Sequence, residues 1–444
     1  MSLEKTRIGV SEIHVFFTMF LASIIPFNKV FITYSITLWI ISAIVLMIVR
    51  KDSASSFKLD FGFVLSMLIY LIFVVGVFYS QNKPSALFDI QVKLSMLVIP
   101  PVMYLLRDFY KRYFNYILVV FVIANIIAGL ICLAFAFYHS FHYNNGSLIF
   151  NSNVPGIYPD LNTKPPNYFF YTNFSVFKHP AYFSMYLVLC VFIVFYFLRN
   201  SFSFFNSRVK NIITYYSVII FLVIIIFFLE SKAAYVSLLL LTLIFSIGYV
   251  VKEKKWIWGI AIISAIIVIS VIGFKQNSRF YYISSALKNK DGFMTAIQNK
   301  DYKVLIDSYG IDRIPIWMIA GEIINENLWI GVGSGDVSDR LMEKYKFYKL
   351  QTLENNRYNT HNQYLETFVA LGLIGFLIFM AWLFYPLFCK KNFTKERFLI
   401  LIFSGILILN FMFEAALNTI SGIIYVAFFY SFLLFVSVDR SVSK

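Results

Sequence analysis

Residues 61–79 read FGFVLSMLIYLIFVVGVFY, nineteen consecutive positions without one Asp, Glu, Lys or Arg. Wound as a helix, with a rise of about 1.5 Å per residue, such a stretch crosses the ~30 Å hydrocarbon layer of a membrane. Stretches of this kind recur from one end of the 444-residue chain to the other. They set its composition, 59% hydrophobic, 20% aromatic and 14% charged, where a soluble domain carries roughly 25% charged residues. A water-soluble globule is therefore excluded. So is a transmembrane β-barrel, whose strands would alternate apolar and polar residues over ~10-residue segments. The reading is an all-α integral membrane protein.

Hydropathy predicts about twelve transmembrane helices, near 12–27, 30–49, 61–79, 92–106, 115–138, 180–198, 211–229, 233–251, 256–274, 362–388, 398–416 and 420–437. Lys and Arg resist translocation and collect on the cytoplasmic side. With the N-terminus placed there, the inside segments hold 20 of the 38 basic residues against 8 of the 23 acidic ones. Both termini are then cytoplasmic. The formal net charge of +15 is a topology signal dispersed over short loops, not a nucleic-acid surface. Cys132, Cys190 and Cys389 have no paired spacing and read as small core residues, with no disulfide framework or metal site implied. The first apolar run is followed by no small-residue cleavage site, which predicts a retained first helix.

Three regions follow: transmembrane helices 1–9 over 1–274, with an outside loop at about 139–179; a large outside loop over 275–361, between helices 9 and 10; and helices 10–12 with a cytoplasmic tail over 362–444. The large loop is the expected seat of function. Ile316, Trp317, Ile319, Ala320, Ile323 and Ile324 place apolar groups on one helical face. That helix should stop at Gly331-Val332-Gly333-Ser334-Gly335-Asp336, before a second helix at about 337–350. No strand precedes the glycines and no βαβ unit surrounds them, so a plain turn is expected and not a dinucleotide loop. Thr360 and Gln363 have the spacing of a capping box, which makes His361 the first residue of the tenth helix. The positive end of the helix dipole disfavours an added proton there, which suits an imidazole that acts as a general base. Glu366, in the first turns of that helix, and Glu414, at the outer end of the eleventh, are acids at a costly depth that call for a partner or a water-filled cavity.

His361-Asn362, nine residues, then Gly372-Leu373-Ile374-Gly375 resembles the signature of bacterial O-antigen ligases. Arg313-Ile314-Pro315-Ile316-Trp317, the glycine run at 331–335, and Ser231-Lys232-Ala233-Ala234 are similar to further motifs of the ligase and polymerase superfamily. At Lys232 the family more often has Arg. The resemblance covers roughly 180–420, and the first five spans match only in hydropathy. It implies an inverting, metal-independent glycosyltransferase without a cofactor in the bacterial inner membrane, its active site periplasmic. A glycan would move from undecaprenyl pyrophosphate to a sugar hydroxyl of lipid A-core.

By that resemblance His361 is the base and Arg313 its catalytic partner. Lys232, Arg313 and Arg279 hold the pyrophosphate, and Glu366, Glu414 and Asn362 orient the base or bind the acceptor. The chemistry is compatible, because a departing pyrophosphate needs fixed positive charge and Arg offers bidentate donors. His179, before Pro180, has some likeness to the family and reads at least as well as a helix start, and His14, His139 and His142 carry no signal. An O-antigen or capsule polymerase joining lipid-linked repeats keeps the same chemistry with another acceptor. A transporter or flippase would scatter ionisable residues through several spans, whereas here the polar chemistry collects on one loop.

Overall fold

The computed structural model describes residues 2–50, 60–144, 146–155, 166–253, 289–389 and 396–436. These are mostly helical. The long helices are α1 (Ser2–Ile24), α2 (Lys29–Arg50), α3 (Phe61–Tyr79), the consecutive α4 (Lys83–Val92) and α5 (Ser95–Leu105), and α6 (Arg107–Ser140). After a hairpin and the single-turn α7 (Tyr171–Phe174) come α8 (Pro180–Arg199), α9 (Arg208–Phe228) and α10 (Lys232–Glu253). The segment before the next long helix folds as α11 (Lys290–Gln298), α12 (Tyr302–Asp307), α13 (Arg313–Glu326), α14 (Val337–Phe347) and α15 (Gln351–Asn355). The chain closes with α16 (Gln363–Phe388), α17 (Arg397–Asn410) and α18 (Ile420–Val436).

Among the described residues, seven helical segments are long and apolar enough to cross a membrane: α2, α3, Lys83–Leu105, α6, α8, α9 and α16. Shorter apolar helices cover Gly9–Ile24, Lys232–Ser246, α17 and α18. The expected span at 256–274 lies outside the described residues, as does Arg279.

Two expected spans need correction. The one at 92–106 begins at Lys83, and it is broken at Lys93 and Leu94. Lys83, Asp89 and Lys93 dilute its first half below any apolar window. The span at 398–416 stops at Asn410, so Glu414 belongs to the connection into α18 and not to a helix end. The 139–179 loop contains a small antiparallel hairpin, β1 (Phe141–Asn144) and β2 (Ser147–Phe150), with Phe141 opposite Phe150.

Helix α18 is apolar all round and buried along most of its length, which is what a helix at the centre of a bundle requires. It packs on α5, α6 and α17. The Tyr430 hydroxyl donates to Trp382 O at 2.5 Å and the Tyr425 hydroxyl to Met185 O at 3.2 Å, tying it to α16 and α8. His14 proves to be a second tie: fully buried, it bonds Ser42 Oγ at 2.8 Å and the Tyr110 hydroxyl at 2.6 Å, joining α1, α2 and α6. Outside the bundle, the Glu322 carboxylate collects Lys300 Nζ at 2.6 Å and the Tyr302 and Tyr348 hydroxyls at 2.9 Å. Burial alone would raise its pKa, but these donors, Lys300 foremost, hold it below the ordinary carboxylate range.

The glycine segment is more than a turn. At Gly372, α16 leaves helical geometry (φ 61°, ψ −166°). In an uninterrupted helix Leu373 N and Ile374 N would bond Val369 O and Ala370 O. Instead they donate outward, to Leu328 O at 2.8 Å and Trp329 O at 3.3 Å. The vacated carbonyls of Val369 and Ala370 accept from Val332 N and Gly333 N, both at 2.9 Å. The 328–333 segment thus lies directly against the broken helix. A Cβ at Gly331 would sit 2.5 Å from Gly372 N, and one at Gly372 would collide with the backbone of Trp329 and Ile330.

The same segment holds the other side of the bundle. Asp336 accepts from Gln81 N and Asn82 N, each at 2.7 Å, and Tyr79 donates to Ile330 O at 2.6 Å. The α3–α4 turn is thereby fastened to α16 through residues 330–336.

Gly372→Ala combines a positive φ with a backbone collision, and the strain alone is of order 1–3 kcal/mol. We expect a clear drop in the thermal unfolding midpoint of the detergent-solubilised protein and faster proteolysis within 328–336. Gly321→Ala, where nothing lies within 4 Å of the added carbon, should leave both unchanged.

Candidate active site

His361 does not begin α16. Asn362 is the N-cap, its Oδ1 accepting from Tyr364 N at 2.9 Å and Leu365 N at 3.2 Å, and the expected capping box between Thr360 and Gln363 is absent. The reason is that both side chains are engaged elsewhere. Gln363 Oε1 accepts from Leu417 N at 2.7 Å and its Nε2 donates to Thr367 Oγ1 at 3.1 Å. The Thr360 hydroxyl donates to Glu366 Oε2 at 2.6 Å.

His361 instead occupies the residue before the cap in left-handed conformation, φ 46°. That region is uncommon for a side-chain-bearing residue, though His visits it more than most. Four contacts hold it there. His361 N donates to Asn359 Oδ1 at 2.9 Å, Thr360 N donates to Glu366 Oε2 at 3.4 Å, Gln363 N donates to Phe411 O at 2.8 Å, and Trp317 Nε1 donates to Thr360 O at 3.0 Å. Strain maintained in this way is a recognised mark of functional positions.

The ring faces the connection between α17 and α18. His361 Nδ1 is buried without a hydrogen-bond partner, and Glu414 Oε2 lies 4.0 Å away. Tyr358 meets the ring edge-on, with centroids 5.5 Å apart. If the ring takes a proton, the half-buried Glu414 carboxylate is in place to stabilise the imidazolium.

Arg313 is the first residue of α13, one helical turn before Trp317. Trp317 is thus the link that sets Arg313 beside the His361 loop. The two meet electrostatically at His179. Burial depresses the His179 imidazole below its ordinary value, His361 and Arg313 push the same way, and Glu414 opposes them. His179 is also the helix start anticipated for it: its Nδ1 accepts from Ala181 N at 3.4 Å. A neutral His179 in that role carries its proton on Nε2 and offers it as a donor. His179, Arg313, His361 and Glu414 therefore belong to one polar site, drawn from four separated stretches of chain.

Lys232 is the first residue of α10. Asn410, four residues before Glu414, donates to Ser237 Oγ at 3.0 Å, which puts the start of α10 at the same end of the bundle as the site. Glu366 is buried behind it. Besides Thr360 it holds Asn418 Nδ2 through Oε1 at 2.8 Å, so it orients the His361 loop from the far side. Asn362 orients the same loop as its cap. Among the described residues no three His, Cys, Asp or Glu side chains converge as metal ligands.

Asn418 was not singled out from sequence and left no signal there. Trp317 was read as part of an apolar face and of the Arg313 motif, and Gln363 as half of a capping box, so their bonds to Thr360 O and to Leu417 N are what the sequence reading missed.

Residues 217–380 match the family described as O-Antigen ligase. The matched stretch holds Lys232, Arg313, His361, Asn362 and Glu366, and it bears out the resemblance drawn from the motifs. It is less than half of the chain, and Glu414 and His179 lie beyond its ends. No curated protein matches the chain.

Glu366→Ala would remove the acceptor of Asn418 Nδ2 and of Thr360 N and leave the Thr360 hydroxyl only Asn362 O, at 2.9 Å; a buried donor that loses its partner costs about 1–3 kcal/mol. We expect a fall in turnover through a misplaced His361, with substrate affinity less affected. Glu366→Gln, which keeps one acceptor, should restore part of the rate. Steady-state kinetics of both variants check this.

Proposed function

We propose that this chain, whose residues 217–380 carry an O-antigen ligase domain, is an inverting glycosyltransferase of the bacterial inner membrane. It takes a glycan from undecaprenyl pyrophosphate and places it on a sugar hydroxyl of lipid A-core, at the periplasmic face, with both chain termini in the cytoplasm. The observation that carries the reading is the strained His361, its Nδ1 aimed at Glu414, in one site with Arg313.

The reaction needs three things of these residues. The acceptor hydroxyl must lose its proton as its oxygen attacks the anomeric carbon. With Nδ1 turned toward Glu414, the Nε2 lone pair of His361 is the atom free to take that proton. The bond between the anomeric carbon and the phosphate oxygen breaks on the opposite face, which inverts the configuration. The pyrophosphate leaves with additional negative charge, which Arg313 meets with two parallel donors. His179 Nε2–H adds a neutral donor, and Lys232 a point charge from the start of α10. Arg279 is assigned to the same anion on the family resemblance. After transfer, Glu414 stabilises the protonated His361 until the proton passes to water. Every step draws on protein side chains, so chelators should leave the rate unchanged.

The donor and acceptor are tested by reconstituting the protein with a radiolabelled lipid-linked glycan and either lipid A-core or a second lipid-linked repeat. Label on lipid A-core is the expected product. Label only on lengthened lipid-linked repeats would replace the ligase by a polymerase, a reading that Lys232 in the place of the family's usual Arg keeps in view. In the same assay His361→Ala should lose about 10²–10⁴ in rate, the size of a general-base contribution, while still inserting in the membrane. Arg313→Ala and Lys232→Ala should lose activity, and Lys232→Arg should retain it. Full activity in His361→Ala removes the base from the mechanism.

A further inference from the structure

Behind Glu366 lies a cavity of about 140 Å³, bounded by α4, the break before α5, residues 334–338, the first turns of α16, and Asn418. None of the predicted site residues other than Glu366 lines it. Its wall holds ionisable groups packed among apolar helices. Lys93 is 1% exposed, paired with Asp89 one turn earlier, with its ammonium 4.6 Å from the Phe73 ring centre. Facing this pair are Glu366, Gln363 and Asn418. Ionisable groups held at a membrane-embedded position are costly and mark sites of function.

Two buried atoms in the wall, Asp89 Oδ2 and Ser334 Oγ, have no hydrogen-bond partner. Buried polar atoms are almost always paired, so each calls for an explanation. Moreover, Lys93 stands against two carboxyl groups, so with both ionised the wall is net negative. That disfavours pyrophosphate or a lipid phosphate. A neutral ligand rich in hydroxyls, which both donate and accept, satisfies Asp89, Ser334 and the amides together. Phe73 and Phe88 add apolar surface for the faces of a ring.

We propose that this cavity is a saccharide subsite, seating one sugar of a glycan substrate one layer behind the catalytic histidine. It rests on the glycan-transfer reading of the neighbouring site. Glu366 is the shared wall: Oε2 holds Thr360, next to His361, and the same carboxylate faces the cavity. A sugar seated there is sensed by the segment that carries the base.

The test uses Ser338, which is exposed at the edge of the cavity, so that Ser338→Trp narrows the opening without disturbing the core. In reconstituted transfer the variant should raise KM for one glycan substrate by at least about tenfold with kcat changed little, the mark of lost binding common to ground and transition states. A rise in the acceptor KM assigns the acceptor sugar to the cavity, and a rise in the donor KM assigns the donor sugar. Asp89→Asn combined with Lys93→Gln, which keeps the shape and removes both charges, should act in the same direction.

A second readout does not depend on turnover. Ser338→Cys, in a Cys389→Ser background, should be protected from maleimide labelling by the delipidated oligosaccharide of the donor or of lipid A-core, but not by inorganic pyrophosphate. Absence of transfer by the unaltered protein would refute the enzymatic reading and leave the protection result to judge the cavity. No oligosaccharide protection, or normal KM values in an active Ser338→Trp, would overturn the subsite. Protection by pyrophosphate alone would overturn it equally.

Discussion

In hydrocarbon no water is available to pair with a backbone amide, so a break in a membrane helix must be repaired by other protein groups. The break at Gly372 is repaired by exchange. Leu373 and Ile374 give their N–H groups to 328–329, and 332–333 return two N–H groups to the carbonyls left open. The four bonds need the two backbones in contact, which excludes a Cβ at Gly331 and at Gly372. This lock fixes α13 and α14 to the bundle. Asp336, three residues past the lock, caps the α3–α4 turn, and through it the first helices are set relative to the last.

The site depends on that lock at one remove. Helix α13 runs directly into residues 328–331, so the position of Arg313 follows from where that segment is anchored. Its partner His361 sits on the N-terminal side of the same broken helix, held by Asn362, Glu366 and Gln363. A helix straight through Gly372 would leave 328–333 without its four bonds to α16. Helix α13 would then be tied to the His361 loop through the Trp317–Thr360 bond, with its far end loosened. The break thus helps to hold α13 against the His361 loop, which is what the proposed transfer requires of its base and its cation.

How much of this was legible in the sequence follows from the range of each interaction. Apolar length marks the spans well, since it is a local property of the chain. It fails at 83–94, where charges that are paired inside the fold look like loop charges, and at Asn410, where apolar residues continue past the end of the helix. Family motifs point to Arg313, His361 and the glycines. They do not say that the two glycine motifs bond each other, because that pairing joins segments some forty residues apart. The Thr360–Gln363 spacing suggests a cap, yet both side chains find partners in the 411–418 connection or deeper in α16. His179 joins the site from the start of α8 and Glu414 from the connection before α18; the sequence flags one as a helix start and the other as an acid at a costly depth, but no local pattern says that the two belong to one site.

Two carboxylates flank the histidine in different ways, and the difference divides their labour. Glu414 meets the ring with space between them, 4.0 Å from an Nδ1 that has no hydrogen-bond partner. Its effect is therefore on charge, and it grows when the ring is protonated. Glu366 is buried and hydrogen-bonded at both oxygens, to Thr360 and to Asn418. Its effect is on the backbone, and it fixes where the ring stands. The two tasks fall to different acids because Glu414 lies beside the ring and Glu366 beside the backbone that carries it. The positive φ at His361 is the visible result: the chain turns there so that the ring reaches one acid while its neighbour is gripped by the other.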